Sequence, residues 1–214
     1  VTVFSTAPAR TTVKRLPRLI VGLVLCGLVI ALMIKANLGL APWDVLHQGI
    51  SKRTGVSIGT VGILVGFVVL LTWLPLKERY GIGTVINVVL IGLTINVVLP
   101  LLPDDPAIAV RWAFLLVGAA LLGPGGGLYI GVGLGAGPRD GLMTSLAERG
   151  LSIRLVRTVM ELAVLALGWL LGGSVGVGTI LFAITIGPNV HWCLERMSLE
   201  PPHVVHPGPV IEVE

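Results

Sequence analysis

The chain has 214 residues, 54% of them apolar and only 12% charged, and its mean hydropathy is +0.95. Soluble domains carry roughly a quarter charged residues, so this composition excludes an ordinary water-solvated fold and points to a protein solvated by lipid. The net charge of +4 does not indicate nucleic acid, because the basic residues flank apolar segments instead of forming one patch, and there they read as topology signals.

A helix needs about 20 mainly apolar residues to cross the hydrocarbon core. Arg10, Lys14, Arg15 and Arg18 lead into the first such run, Leu19–Ala36. It is too long for the apolar core of a secretory signal and lacks a convincing cleavage site, so it is predicted as a first span behind a cytoplasmic tail, residues 1–18. Ile58–Leu76, Val85–Leu102, Ile108–Leu134, Ile153–Leu171 and Thr179–Met197 complete six predicted spans. Their connections are short and marked by Gly and Pro, most sharply at Pro103-Asp104-Asp105-Pro106. Residues 199–214 are Pro-rich without helical periodicity and are predicted as a disordered tail, where His203 and His206 make only a weak metal signal. With the N-terminus inside, Lys35, Lys52, Arg53 and Arg111 fall outside. The larger set, which includes Lys77, Arg79, Arg139, Arg149, Arg154, Arg157 and Arg196, falls inside, and this places both termini in the cytoplasm.

One frame occurs twice. Leu38-Gly39-Leu40-Ala41-Pro42-Trp43-Asp44 returns 96 positions later as Leu134-Gly135-Ala136-Gly137-Pro138-Arg139-Asp140. At a spacing of 95, Gly55 meets Gly150, Ile58 meets Ile153, Gly81-Ile82-Gly83-Thr84 meets Gly176-Val177-Gly178-Thr179, and Gly92 meets Gly187. Each half, residues 19–103 and 104–198, then holds three spans. An odd number makes the second half enter the membrane from the opposite side, as an inverted repeat. The predicted fold is an all-α membrane protein of six transmembrane helices in two inverted three-helix repeats, each with a short broken or re-entrant helix.

Within the frame, Gly39 and Gly135 let the chain leave a helix through a left-handed cap. Pro42 and Pro138 preset the first turn of a new helix, and Asp44 and Asp140 fall in that turn, where a carboxylate complements the helix dipole. The stretches that follow, Val45–Arg53 and Gly141–Arg149, are too short and polar to span. Two readings stand open: Pro and Asp merely start and cap an interfacial helix, or the short helices dip in and face each other across a central site. Breaks at corresponding positions of inverted halves point to a transporter's binding site.

Gly123-Pro124-Gly125-Gly126-Gly127 predicts a second break, in the fourth span, read as a hinge or cavity-lining kink against the alternative of a packing kink. Glu161 lies inside the fifth span, where a carboxyl is costly unless paired, protonated or wet. Arg157 stands four residues earlier on the same face, so a structural ion pair competes with a protonatable coupling group. His47 and Gln48 are exposed candidates on the first short helix. Asn87, Thr94, Asn96, Asn189 and His191 supply interhelical hydrogen bonds, with His191 also a candidate proton carrier. Trp43, Trp73, Trp112, Trp169 and Trp192 are read as interfacial anchors. Cys26 and Cys193 stand far apart in apolar runs, without disulfide or metal spacing. No hydrolytic triad, phosphate loop or metal cluster is visible, so neither an enzyme nor a cofactor is expected.

The doubled frame, the Gly-Ile/Val-Gly-Thr before the third and sixth spans, and the six-span length resemble the bacterial YczE membrane-protein family, related to the YitT/YyaS group. The resemblance runs from about Pro17 to Met197 and implies an integral plasma-membrane protein without a known substrate. Its motif residues fall here on Gly39, Pro42, Asp44, Gly135, Pro138 and Asp140. The expected function is a small permease-like transporter for a polar or cationic solute, with Asp44, Asp140, Glu161 and the broken spans lining a midplane cavity. A non-transporting accessory protein with a dry interior is the alternative, and a passive channel would need a polar stripe that is not evident. Partners are the lipid bilayer and, in a Gly-rich bundle of this size, a second copy as a homodimer.

Overall fold

Apolar runs bounded by Gly, Pro and Asn become helices, and their ends fall close to those signals. The structure, a computed structural model, describes residues 9–76, 81–135, 137–147 and 149–199. The helices are α1 (Ala9–Ala36), α2 (Pro42–Thr54), α3 (Ile58–Leu76), α4 (Ile82–Val98), α5 (Ile108–Ile130), α6 (Pro138–Ala147), α7 (Ile153–Leu170) and α8 (Val177–Met197). A single 3-10 turn, Leu99–Leu101, extends α4, and the described residues hold no strand. The order long, short, long, long therefore occurs twice, as the doubled frame predicts. Residues 1–8 and 200–214, including His203 and His206, and the loop with Lys77 and Arg79 lie outside the described residues.

Among the described residues, four helices are long and apolar enough to cross a membrane: α1 from Val13, α4 with its 3-10 turn, α5 and α8. A fifth crossing results if α2 and α3 count as one bent span. The hydropathy pattern counts six. The difference lies in α3, which joins α2 across a 116° bend, and in α7, whose 18 residues include Arg154, Arg157 and Glu161. A further difference is that α1 begins at Ala9, carrying Pro17 inside it, so the predicted tail contributes its second half to the first helix.

Helices in lipid gain little from excluding apolar surface, so they associate where small residues let backbones approach. The centre of the fold is the antiparallel pair α1 and α5. A Cβ at Gly22 would sit 2.7 Å from the Tyr129 amide nitrogen, and one at Gly125 would sit 2.9 Å from Cys26 Sγ. Farther along, Gly118 meets Met33 and Val29. Val29, Met33, Ala36, Leu40, Val45 and Leu115 form one buried cluster on this seam, and Leu19, Leu23, Val132 and Leu134 form another. Then α4 packs on α1 and α8 on α5, while α2 and α6 each lie against both α3 and α7. The contact of α3 with α4 has no counterpart of similar extent, because α7 and α8 scarcely touch.

The predicted break in the fourth span is absent, and α5 runs unbroken through Pro124. Proline lacks the N–H that would bond the carbonyl four residues back. Asn189 on α8 reaches this turn, its Nδ2 donating to the freed Ala120 O at 3.4 Å and, more closely, to the neighbouring Ala119 O at 2.8 Å. The neighbouring glycines are contact points: Gly123 meets Asn189, Gly126 meets Val190 and Gly127 meets Cys193.

Candidate functional site

Both copies of the frame act the same way locally. Ala41 is extended, Pro42 opens α2, and α2 ends where Gly55 takes φ 76° and donates its N–H to Ser51 O. The left-handed cap of α1 is Asn37 (φ 48°), not Gly39, which takes φ 113° two residues later. Gly39 is needed there for a second reason: a Cβ would lie 2.5 Å from the Gly176 nitrogen in the opposite half. Gly135 repeats this with φ 128° and a Cβ site 2.8 Å from Gly81 Cα.

These contacts are reciprocal. Gly178 N–H donates to Leu38 O at 2.7 Å, and Gly83 N–H donates to Leu134 O at 2.9 Å. Arg111 near the start of α5 caps the end of α1 through Ala36 O and Asn37 O, both at 2.7 Å. Arg15 near the start of α1 donates to Val132 O, just past α5, at 3.0 Å. Each half's frame thus rests on the other half's Gly-Ile/Val-Gly-Thr. Arg15 and Arg111 stand 96 positions apart, a signal that spacing could have revealed and that motif reading missed.

The two short helices converge on one cavity of about 480 Å³. Trp43, Asp44 and His47 reach it from α2, and Pro138, Arg139 and Asp140 from α6. Tyr129 of α5, Asn87 of α4, Arg157 of α7 and His191 of α8 complete the polar wall. Its apolar wall comes mainly from α3, α4 and α8, with Val69, Ile91, Ile95 and Val190 among its residues. Asp44 is buried and lies 3.5 Å from His47 Nδ1 one turn on. Asp140 exposes its surface to the cavity and accepts a hydrogen bond from the Tyr129 hydroxyl at 3.1 Å. The Arg139 guanidinium lies 4.8 Å from the centre of the Trp43 ring, so the residues between Pro and Asp of the two frames are stacked on each other. Trp73, buried to 1% exposure, donates its Nε1–H to Pro138 O at 3.0 Å and so fixes the first turn of α6.

Of the residues singled out by sequence, Asp44, His47, Pro138, Asp140 and Arg157 stand on the cavity wall. Pro42 opens α2 beside it, and Gly39 and Gly135 join the halves. Pro124 lies within α5 and is not among the lining residues; its turn makes the contact with Asn189 described above. Glu161 is not among the lining residues; its Oε1 receives Arg157 Nε at 3.0 Å, the ion pair that the i, i+4 spacing predicts. Gln48 turns away from the cavity and accepts the Ser174 N–H at 2.6 Å. Trp43 and Trp73 are buried rather than interfacial, unlike Trp112, Trp169 and Trp192, which are exposed. Trp43 was read only as an anchor and Arg139 only as a topology charge, although the two share one position of the doubled frame, and Tyr129 was not singled out. Both cysteines are buried free thiols, and the described residues hold no cluster able to bind a metal.

The cavity owes its space to an asymmetry between the halves. In the first, Gly59 and Gly92 bring α3 and α4 together, a Cβ at Gly92 lying 2.4 Å from Gly59 O. In the second, Gly187 holds the place of Gly92 and has open space around it, while Arg154, Arg157 and Glu161 hold the places of Gly59, Gly62 and Gly66. Long charged side chains stand where a glycine face would have drawn α7 onto α8.

A model of a family of unknown function, DUF6198, matches residues 13–195. The chain is similar to an uncharacterized protein of Haemophilus influenzae, 41% identical over 189 residues that cover 88% of this chain and 87% of that one. It is also similar to the uncharacterized membrane protein YczE of Bacillus subtilis, 37% identical over 181 residues covering 82% and 83% of the two chains. The uncharacterized protein YyaS of the same organism is 27% identical over 179 residues, 80% of this chain and 88% of that one. No solved structure matches. The resemblance drawn from the doubled frame agrees with these matches.

Proposed function

The chain belongs to the DUF6198 family, and from that premise and its cavity we propose that it is a small permease-like membrane protein that binds a polar or cationic solute between two inverted three-span halves. The observation that carries this reading is the convergence of both frames on one polar cavity. Ionisable groups at membrane depth are expensive and mark solute or ion pathways when they face an internal space. Asp140, facing the space, takes the solute's cationic part and is a better proton-coupling group than Glu161, which Arg157 holds outside it, while Asp44 lies buried beside His47 on the same wall. The reciprocal contacts of the frames support the inverted arrangement, with α2 and α6 re-entrant. Rocking of one half against the other about the α1–α5 seam would alternate access. The cavity supports this reading over an accessory protein, whose interior would be closely packed. The six-span count and the cytoplasmic placing of both termini in the plasma membrane belong to the same proposal.

Side-specific thiol labelling in membranes tests it. On a Cys26→Ala, Cys193→Ala background, Val56→Cys and Leu151→Cys occupy corresponding exposed positions after α2 and α6. We expect labelling from opposite faces, and expect Gly187→Cys to react with a small water-soluble reagent. Labelling of 56 and 151 from one face would end the inverted-repeat reading. An inert thiol at 187 would end the wet cavity and leave the accessory protein.

A further inference from the structure

Resting on that reading of the cavity as a solute site, we infer that the ligand is a small zwitterion with an apolar body, its anionic group held by Arg139 and the Trp43 N–H and its cationic group by Asp140. Trp43 is 7% exposed, lines the cavity, and its buried Nε1–H has no acceptor. An unmet buried donor costs free energy that a bound acceptor recovers, and buried donors in folded proteins are nearly always satisfied. Arg139, half-buried beside it, stacks on the Trp43 ring and forms no hydrogen bond or close ion pair among the described residues, although its charge acts on the neighbouring Asp140. A half-buried guanidinium with no acceptor in hydrogen-bond contact has donors left for a bound anion. Indole and guanidinium offer donors only, so the group that satisfies both is an acceptor, and a carboxylate satisfies them best.

The opposite charge is supplied one residue on. Asp140 faces the same space with Tyr129 fixing its carboxylate, whereas its counterpart Asp44 is buried against His47. The two frames have thus divided the work, one keeping the cation-binding acid open and the other covering it. A plain amine would leave Arg139 and the indole N–H unmet, and a plain carboxylate would stand against Asp140. Aliphatic side chains such as Ile30, Val69, Ile91 and Leu122 complete the wall and suit an apolar body. The volume of 480 Å³ falls within the roughly 300–1,000 Å³ usual for small-molecule sites.

The test is thermal unfolding and equilibrium binding of the purified full-length protein with alanine, valine, leucine, methionine and phenylalanine. Each is compared with the amine and the carboxylate that share its skeleton. We expect at least one amino acid to bind about tenfold to 100-fold more tightly than either of its halves, the loss expected when a charge-assisted hydrogen bond is missing. Arg139→Gln should bring that amino acid down to the affinity of its amine, both measured in the same variant. Trp43→Phe, which keeps the ring under Arg139 but removes the N–H, should weaken the amino acid several-fold and leave the amine as it was. An amine that binds as well as its amino acid would overturn the inference and leave the solute cavity standing. Absence of any stabilisation across the three sets would also overturn it, and the reactivity of Gly187→Cys then decides separately whether the cavity reading falls too.

Discussion

Pro124 shows how far a single residue can be read without its neighbours. Its missing N–H is certain from the sequence, and so is the need for another donor to the freed carbonyls. What the local pattern cannot say is that Asn189, on another helix, provides it, and without that donor the glycine-flanked proline reads as a break. The same blindness to distant partners hid the burial of Trp43 and Trp73, whose partners Arg139 and Pro138 come from the other half. By contrast, the Arg157–Glu161 pair was legible, since i, i+4 neighbours meet whatever surrounds them. Asn189→Ala should cost about 1 kcal/mol, the net worth of an ordinary hydrogen bond. Pro124→Ala restores an N–H in place, so in its background Asn189→Ala should cost clearly less. Thermal unfolding of the four proteins gives the coupling directly, and additive effects would mean that Asn189 does not cover the proline.

At the scale of elements, helix number, order and approximate ends were legible because Gly, Pro and Asn punctuate long apolar runs. Which helices touch was not, since each apolar run offers lipid and protein equally good apolar faces. The difference between the halves lies in glycine contacts. Gly92 is pressed against Gly59 O and the Ile63 side chain, while Gly187, at the equivalent place, meets nothing within 4 Å. Gly92→Ala should therefore overpack the α3–α4 contact at a cost of about 1–3 kcal/mol. Gly187→Ala should leave stability within about 0.5 kcal/mol, the range of substitutions that touch nothing. The comparison is internal, because the two residues share a frame position on α4 and α8. Equal losses of melting temperature would mean that α7 and α8 close upon each other and that the cavity is not held open there.

On the scale of the whole molecule, the halves are alike in order but complementary in shape, and this decides how they can assemble. Where α6 crosses α3, a Cβ at Gly141 would lie 2.1 Å from the Trp73 ring. Where α2 crosses α7, the same two positions are Val45 and Gly168, and a Cβ at Gly168 would lie 2.6 Å from the Val45 carbonyl carbon. The large residue has moved from one helix to the other. Two copies of the first half arranged like the two halves here would press Trp73 onto Val45, and two copies of the second would set Gly168 against Gly141 and leave a void. Only unlike halves fit, so the repeat is locked as a pair. Expressed as separate chains, residues 1–103 and 104–214 should co-purify in equal amounts and melt as one species. Neither should form a stable folded homodimer alone, since the α1–α5 seam and both frame contacts are then lost or mismatched. Gly141→Val, which recreates the first half's residue at that position, should abolish co-purification or cost about 3 kcal/mol in the intact chain, the upper end for overpacking. A stable homodimer of residues 1–103, or an intact Gly141→Val protein of unchanged melting temperature, would show that the size exchange across the two crossings does not select the partner.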